Sequence, residues 1–224
     1  MKICDIVAEE DDVKTLTQCA LVCTQLATYC QTHLFNKVTV VLALNDGGSR
    51  MNTRLGQLRA ILEQNPEIGT YTESLSINLG QCSLSGSTHP DIPSILSKLT
   101  AVVSLTLYTS ISREDAAWPP AVAPEYIRGA LKYMGGRVGS PIFLRDLQVS
   151  SPKLVPYVLE SKRDDGQHVF DFARLRHFAV RSLTDVAVGD INVFLHRAPS
   201  LEKLTLDFCC KDLHGHRYSL IFRL

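Results

Sequence analysis

One six-residue formula recurs along the chain: apolar-x-x-apolar-x-apolar. It stands at Val102-Val103-Ser104-Leu105-Thr106-Leu107, at Leu144 to Val149, at Leu175 to Val180 and at Leu201 to Leu206, and its second half appears in Glu73-Ser74-Leu75-Ser76-Ile77. The x-apolar-x-apolar half has the period of two that puts alternate side chains on one face of a strand. Between successive copies lie segments with helical spacing: Leu55, Leu58, Ile61 and Leu62, ended by Asn65-Pro66, then Ile92 to Leu99, Tyr126 to Met134, Lys153 to Glu160 and Ile191 to His196. One helix–strand unit cannot bury its own apolar face, so neighbouring units must complete it. The intervals from Ile77 to Leu107, Val149, Val180 and Leu206 are about 30, 42, 31 and 26 residues, against about 20–29 for a regular leucine-rich repeat. The expected fold class is therefore α/β: an irregular leucine-rich-repeat solenoid of helix–strand units with parallel strands. Residues near 75–77, 105–107, 147–149, 178–180 and 204–206 are predicted to be adjacent strands in that order. An ordinary α/β domain is the alternative that helix–strand alternation alone leaves open.

The N-terminal part is different. Asp12 is placed to cap a helix in which Val13, Leu16, Ala20, Cys23 and Ala27 share a face, with Leu21, Val22 and Leu26 widening it. Ile3, Ile6 and Val7 make a turn or two of helix before it. Val38, Val40, Leu42 and Leu44 alternate as a strand closed by Asn45-Asp46-Gly47-Gly48.

Charge and cysteine content narrow the function classes. Lys+Arg and Asp+Glu are both 23, a formal charge of zero. That balance excludes a protein held on nucleic acid by broad phosphate neutralisation. The segment Met1 to Val13 carries acids where a secretory signal needs its apolar stretch, and the longest apolar run, Val38 to Leu44, has strand length. Seven cysteines, an odd and irregular set, point to free thiols in a reducing compartment, cytoplasmic or nuclear.

The chemical motifs are weak. Cys19, Cys23 and Cys30 with His33 invite a metal, but on one continuous helix Cys19 and Cys30 stand about 16 Å apart, against Zn–S bonds of about 2.3 Å. Cys209-Cys210 with His214 and His216 matches no zinc spacing, and adjacent strand residues point to opposite faces. Gly135-Gly136-Arg137-Val138-Gly139 lacks the phosphate-loop pattern, and neither G-x-S-x-G nor H-E-x-x-H occurs. No catalytic residue, metal or cofactor is assigned. Trp118 in the Pro/Ala-rich stretch 116–124 is either a partner anchor or a cover for the repeat edge.

The stretch Ile3 to Val40 resembles F-box-like proteins with leucine-rich repeats, particularly the large type of basidiomycete fungi. Asp11-Asp12, Thr15-Leu16, Cys19-Ala20-Leu21-Val22-Cys23 and His33-Leu34-Phe35 followed by Val38 carry the likeness, which continues loosely through Asn65-Pro66-Glu67-Ile68 and Ser74 to Ile77. The resemblance implies an F-box-like helical segment over 1–36 and a leucine-rich-repeat-like domain over 37–224. It implies a non-catalytic substrate receptor of a cullin–RING (SCF-type) ubiquitin ligase. Its partners would be a Skp-type linker protein and an unknown protein substrate, with no nucleic acid and no membrane. By position, linker docking would fall to Ile3, Ile6, Leu16, Leu21, Val22 and Leu26.

Two departures from the family pattern imply degenerate docking. The Leu-Pro start of the family's first helix is missing, and the usual aromatic anchor is Leu26. A segment that only caps the solenoid is equally consistent with the residues. At the other end, Tyr218, Leu220 and Phe222 fall on one side of a strand beside Leu204 and Leu206, with no helix after them. The expectation there is a shortened repeat domain whose last strand edge is frayed or paired with another molecule. A small α/β enzyme with an unrecognised site is the competing function, and it would show a deep pocket rather than a shallow strand face.

Overall fold

The alternation of apolar and polar residues in the repeated formula becomes a sheet with one apolar and one polar face. The computed structural model describes residues 13–41, 49–79, 91–108, 123–134, 141–150, 154–183, 188–209 and 217–224. The helices are α1 (Val13–Ala20), α2 (Thr24–Leu34), α3 (Ser49–Gln64), α4 (Ile68–Tyr71), α5 (Asp91–Lys98), α6 (Ala123–Leu131), α7 (Val155–Leu159) and α8 (Val188–Arg197). The strands are β1 (Lys37–Val41), β2 (Ser74–Asn78), β3 (Ser104–Tyr108), β4 (Ile142–Phe143), β5 (Asp146–Val149), β6 (Phe170–Asp171), β7 (His177–Leu183), β8 (Lys203–Cys209) and β9 (Arg217–Arg223). The fold is mixed α/β with a mostly parallel sheet. Its seven strands run in the order β1-β2-β3-β5-β7-β8-β9, and β4 pairs with β6 in a separate two-stranded sheet. All neighbours in the large sheet are parallel except β8 and β9. The five segments expected as adjacent parallel strands occupy those places in that order.

Two inward rows make the strand side of the core. Val38, Leu75, Leu105, Leu147, Phe178 and Leu204 are in register across the sheet, as are Val40, Ile77, Leu107, Val149, Val180 and Leu206. Every one of these except Leu206, which is half-buried against the same cluster, is buried. The helices cover this face with Leu55 and Leu62 of α3, Ile92, Ile95 and Leu96 of α5, Ile127 and Leu131 of α6, Val155 and Val158 of α7, and Ile191 and Phe194 of α8. Burial of each such side chain stabilises by about 1.5–3 kcal/mol relative to exposure.

A repeated backbone joint sets the strands side by side. Asn36 O accepts from Glu73 N–H and Ser74 N–H at 3.0 and 2.9 Å, and Glu73 O accepts from Val103 and Ser104, both at 2.9 Å. Val103 O accepts from Arg145 and Asp146 at 2.7 and 3.1 Å, Arg145 O from Arg176 and His177 at 2.8 and 3.1 Å, and Arg176 O from Glu202 and Lys203 at 2.8 and 2.9 Å. In each case one carbonyl at the mouth of a strand takes two consecutive N–H groups of the following unit. The joint satisfies donors where each chain segment turns into the sheet.

The N-terminal helix is not continuous as its apolar spacing predicts. Leu21 N–H and Val22 N–H bond back three residues to Gln18 O and Cys19 O, and Cys23 is fully extended (φ −159°, ψ 163°) before α2 begins. The break folds α2 against α1, so that Leu16 and Cys30 are buried with Cys19, Ala20, Leu26, Tyr29 and Leu34 around them. A single rod would have left these residues in water. The fold-back also removes the premise of the 16 Å separation between Cys19 and Cys30, which now lie on packed helices. Gly69 of α4 sits so close to the end of α5 that a Cβ there would lie 2.1 Å from Lys98 O.

At the far edge, Leu204, Leu206 and Phe208 stand opposite Phe222, Leu220 and Tyr218 of β9. Leu220, Ile221 and Phe222 are exposed.

Candidate interaction surface

The face of the sheet turned away from the helices is polar, and register decides which residues share it. One row reads Lys37, Ser74, Ser104, Asp146, His177, Lys203 and Arg223 across the strands. The next reads Thr39, Ser76, Thr106, Gln148, Ala179, Thr205 and Ile221. Beyond them lie Asn78 and Tyr108, paired in register, and Asp207 opposite Ser219. At a strand spacing of about 4.8 Å these rows make a shallow band rather than a pocket.

The band has two halves of different chemistry. Over β1 to β3 it is built mostly from hydroxyls and an amide: Thr39, Ser74, Ser76, Asn78, Ser104, Thr106 and Tyr108. Over β5 to β8 it is charged and cross-linked. His177 Nδ1 lies 2.5 Å from Asp146 Oδ1, and Arg145 Nε donates to Asp146 Oδ2 at 3.0 Å. Gln148, with its amide oxygen turned to Arg181, accepts from Nε and Nη2 at 2.6 and 2.7 Å. Arg181 Nε also lies 3.8 Å from Asp207 Oδ2, and Ser219 Oγ donates to Asp207 Oδ1 at 2.6 Å. The register shift between Val180 and Leu183 falls beside Arg181; such irregularities re-aim a side chain.

Ser104, Asp146 and His177 stand side by side in that order. A hydroxyl–imidazole–acid relay needs the imidazole in the middle. Here the carboxylate is in the middle, and Ser104 and His177 are two strand spacings apart, about 10 Å. The arrangement orients an imidazole without placing a hydroxyl against it.

The residues singled out for linker docking part company. Leu16 is 3% exposed, and Leu26 is half-buried against the same small cluster. Leu21 and Val22 are 83% and 72% exposed at the turn between α1 and α2. Ile3 and Ile6 lie outside the described residues, as do Trp118, the Gly135–Gly139 loop, Cys210, His214 and His216. Cys19 is half-buried, Cys23 exposed and Cys30 buried. Among the described residues no group of three or more His, Cys, Asp and Glu could hold a metal ion, and no helix is long and apolar enough to cross a membrane.

Sequence reasoning missed the ion-paired half of the band. Its only signal was the residue before each inward apolar position, Asp146, His177 and Lys203, which gains meaning once the register is known. The chain matches no protein-family model, no curated protein and no solved structure.

Proposed function

We propose that this chain is a non-catalytic interaction module: an irregular leucine-rich-repeat solenoid with an F-box-like helical hairpin at its N-terminal side. Its work is that of a substrate receptor in a cullin–RING ubiquitin ligase, in the cytoplasm or nucleus. The observation that supports it most is the one-sided burial of consecutive parallel strands, inward rows apolar and outward rows polar. A parallel sheet in a doubly wound domain is covered on both faces and its strands are apolar throughout. The joint repeated from Asn36 to Arg176 supports the reading of stacked, equivalent units, each in contact with its neighbours. The polar band is the surface offered to a protein substrate. The hydroxyl, amide and charged groups of the band can supply the direct hydrogen bonds, about ten, that a protein–protein interface carries.

Linker docking is assigned to Leu21 and Val22 at the hairpin turn, together with Ile3 and Ile6. It is weak, because Leu26 replaces an aromatic anchor and is partly used up inside the hairpin. The test is binding of the purified chain to a purified Skp-type linker. A complex with a Kd weaker than about 1 μM, lost on Leu21→Asp with Val22→Asp, is expected. Absence of binding at about 100 μM, or binding indifferent to both substitutions, would sink the docking assignment.

A further inference from the structure

On the helix side, away from the polar band, the ends of α6, α7 and α8 enclose an open cleft of about 590 Å³. Its lining includes Arg128, Lys132, Lys162, His168 and Arg197, against one carboxylate, Glu160. Two of these side chains come from a small hairpin over 161–169. Val169 N–H bonds Ser161 O at 3.0 Å, Arg163 N–H bonds Gln167 O at 2.8 Å, and Gly166 takes the positive φ of 80° that the turn needs. Lys162 and His168 are paired across this hairpin. Directly opposed residues of an antiparallel pair project to the same side, about 5 Å apart at Cβ. Arg163, one residue on, is buried.

Ordinary helix-end electrostatics explains part of this lining. Cations near the carbonyl ends of helices are favourable, and Arg197 Nη1 donates to Leu159 O at the end of α7 at 3.2 Å. That contact also offsets the negative end of α7, which would otherwise repel an anion. Arg128 is engaged by Glu160 at 2.8 Å and Lys132 by Asp164 at 3.4 Å. Tyr133 and Asp164 hold the Lys132 ammonium above its ordinary value of 10.5. Helix ends do not account for Lys162 and His168, which stand on the hairpin, exposed, with no carboxylate partner among the described residues.

We propose that this cleft binds a phosphate group, with Lys162, His168 and Arg197 as its primary contacts and Arg128 and Lys132 as its rim. A single carboxylate is a poor match, because the two rim cations already have carboxylates. A phosphate brings about two charges and three acceptor oxygens, enough to engage three cationic or donor groups together. The surface is separate from the polar band, so the proposal does not rest on the function assigned above.

The test is calorimetric titration of the full chain with sodium pyrophosphate, at a fixed ionic strength of about 0.15 M so that screening is constant. Parallel titrations use a phosphoserine peptide and its unphosphorylated form. Saturable binding of pyrophosphate or of the phosphopeptide is expected, weakened at least tenfold by Lys162→Ala with His168→Ala. Whichever of the two binds more tightly identifies the source of the phosphate as a small molecule or a protein segment. Lys162→Met alone, at an exposed position, supplies a second variant if the double one unfolds, and should weaken binding at least threefold. No saturation by either probe up to about 10 mM, equal binding of the unphosphorylated peptide, or affinity unchanged in the variants overturns the proposal.

Discussion

Phe178 of β7 and Phe194 of α8 stack with ring centroids 4.0 Å apart and planes 28° from parallel. The Phe172 ring lies 5.1 Å from that of Phe194, tilted by 60°. These rings tie the penultimate parallel strand to the last helix, and both Phe178 and Phe194 are essentially without solvent exposure. Phe194→Ala should cost about 3–5 kcal/mol, read as a lower urea midpoint with an unchanged slope. A loss below about 1 kcal/mol would mean that α8 is not locked to the sheet through this stack.

Two glycines give opposite expectations for the same substitution. Gly69→Ala forces a methyl into the backbone carbonyl of Lys98, and overpacking of this kind costs about 1–3 kcal/mol. Gly129 lies inside α6 with nothing within 4 Å of its would-be Cβ, so Gly129→Ala should stabilise by about 0.5–1 kcal/mol. Chemical denaturation of the two variants side by side measures the difference, and effects of the same sign would contradict the packing described.

The hairpin turn should separate the proposed linker docking from stability. Leu21→Asp with Val22→Asp replaces two exposed side chains, so thermal stability should move by less than about 0.5 kcal/mol per site while linker binding disappears. Leu16→Ala empties the centre of the small α1–α2 cluster and should accelerate hydrogen exchange in both helices, leaving β2 to β7 protected. Uniform acceleration across the sheet would show that the hairpin and the strands unfold as one unit.

The polar band makes its own prediction. Thr106→Arg places a long cation where the hydroxyl-rich half meets the charged half, beside Gln148, at a half-exposed outward position. Stability should change by less than about 1 kcal/mol, and capture of any protein substrate on this face should fall at least tenfold. Thermal unfolding together with a binding assay on the same variant separates the two effects. Collapse of the fold would show that the outward row is packed rather than presented.

Much of the strand architecture is legible in the amino-acid sequence, because its determinants are local. Leu75 and Ile77, Leu105 and Leu107, Leu147 and Val149, Phe178 and Val180, and Leu204 and Leu206 each alternate at period two, and that period alone puts them on one face. The intervening helices follow from spacing and stop signals of the same short range, such as Asn65-Pro66. The candidate site is far less legible. By spacing, Leu16 lies on the apolar stripe of one rod and Leu21, Val22 and Leu26 widen it, yet the turn at Leu21–Cys23 buries the first, half-buries the last and exposes the two between. Spacing cannot reveal that turn, since it is favoured by what α2 buries on folding back.

Local periods, then, set which residues turn inward and where each unit begins. Which units meet is a matter of long-range packing. Asp146 lies beside His177, 31 residues on, because β5 and β7 share a register. Lys162 and His168 face the end of α8 because a hairpin inserted between α7 and β6 projects there. Such pairings are set by backbone joints and packing between segments distant in the chain, and no local period records them.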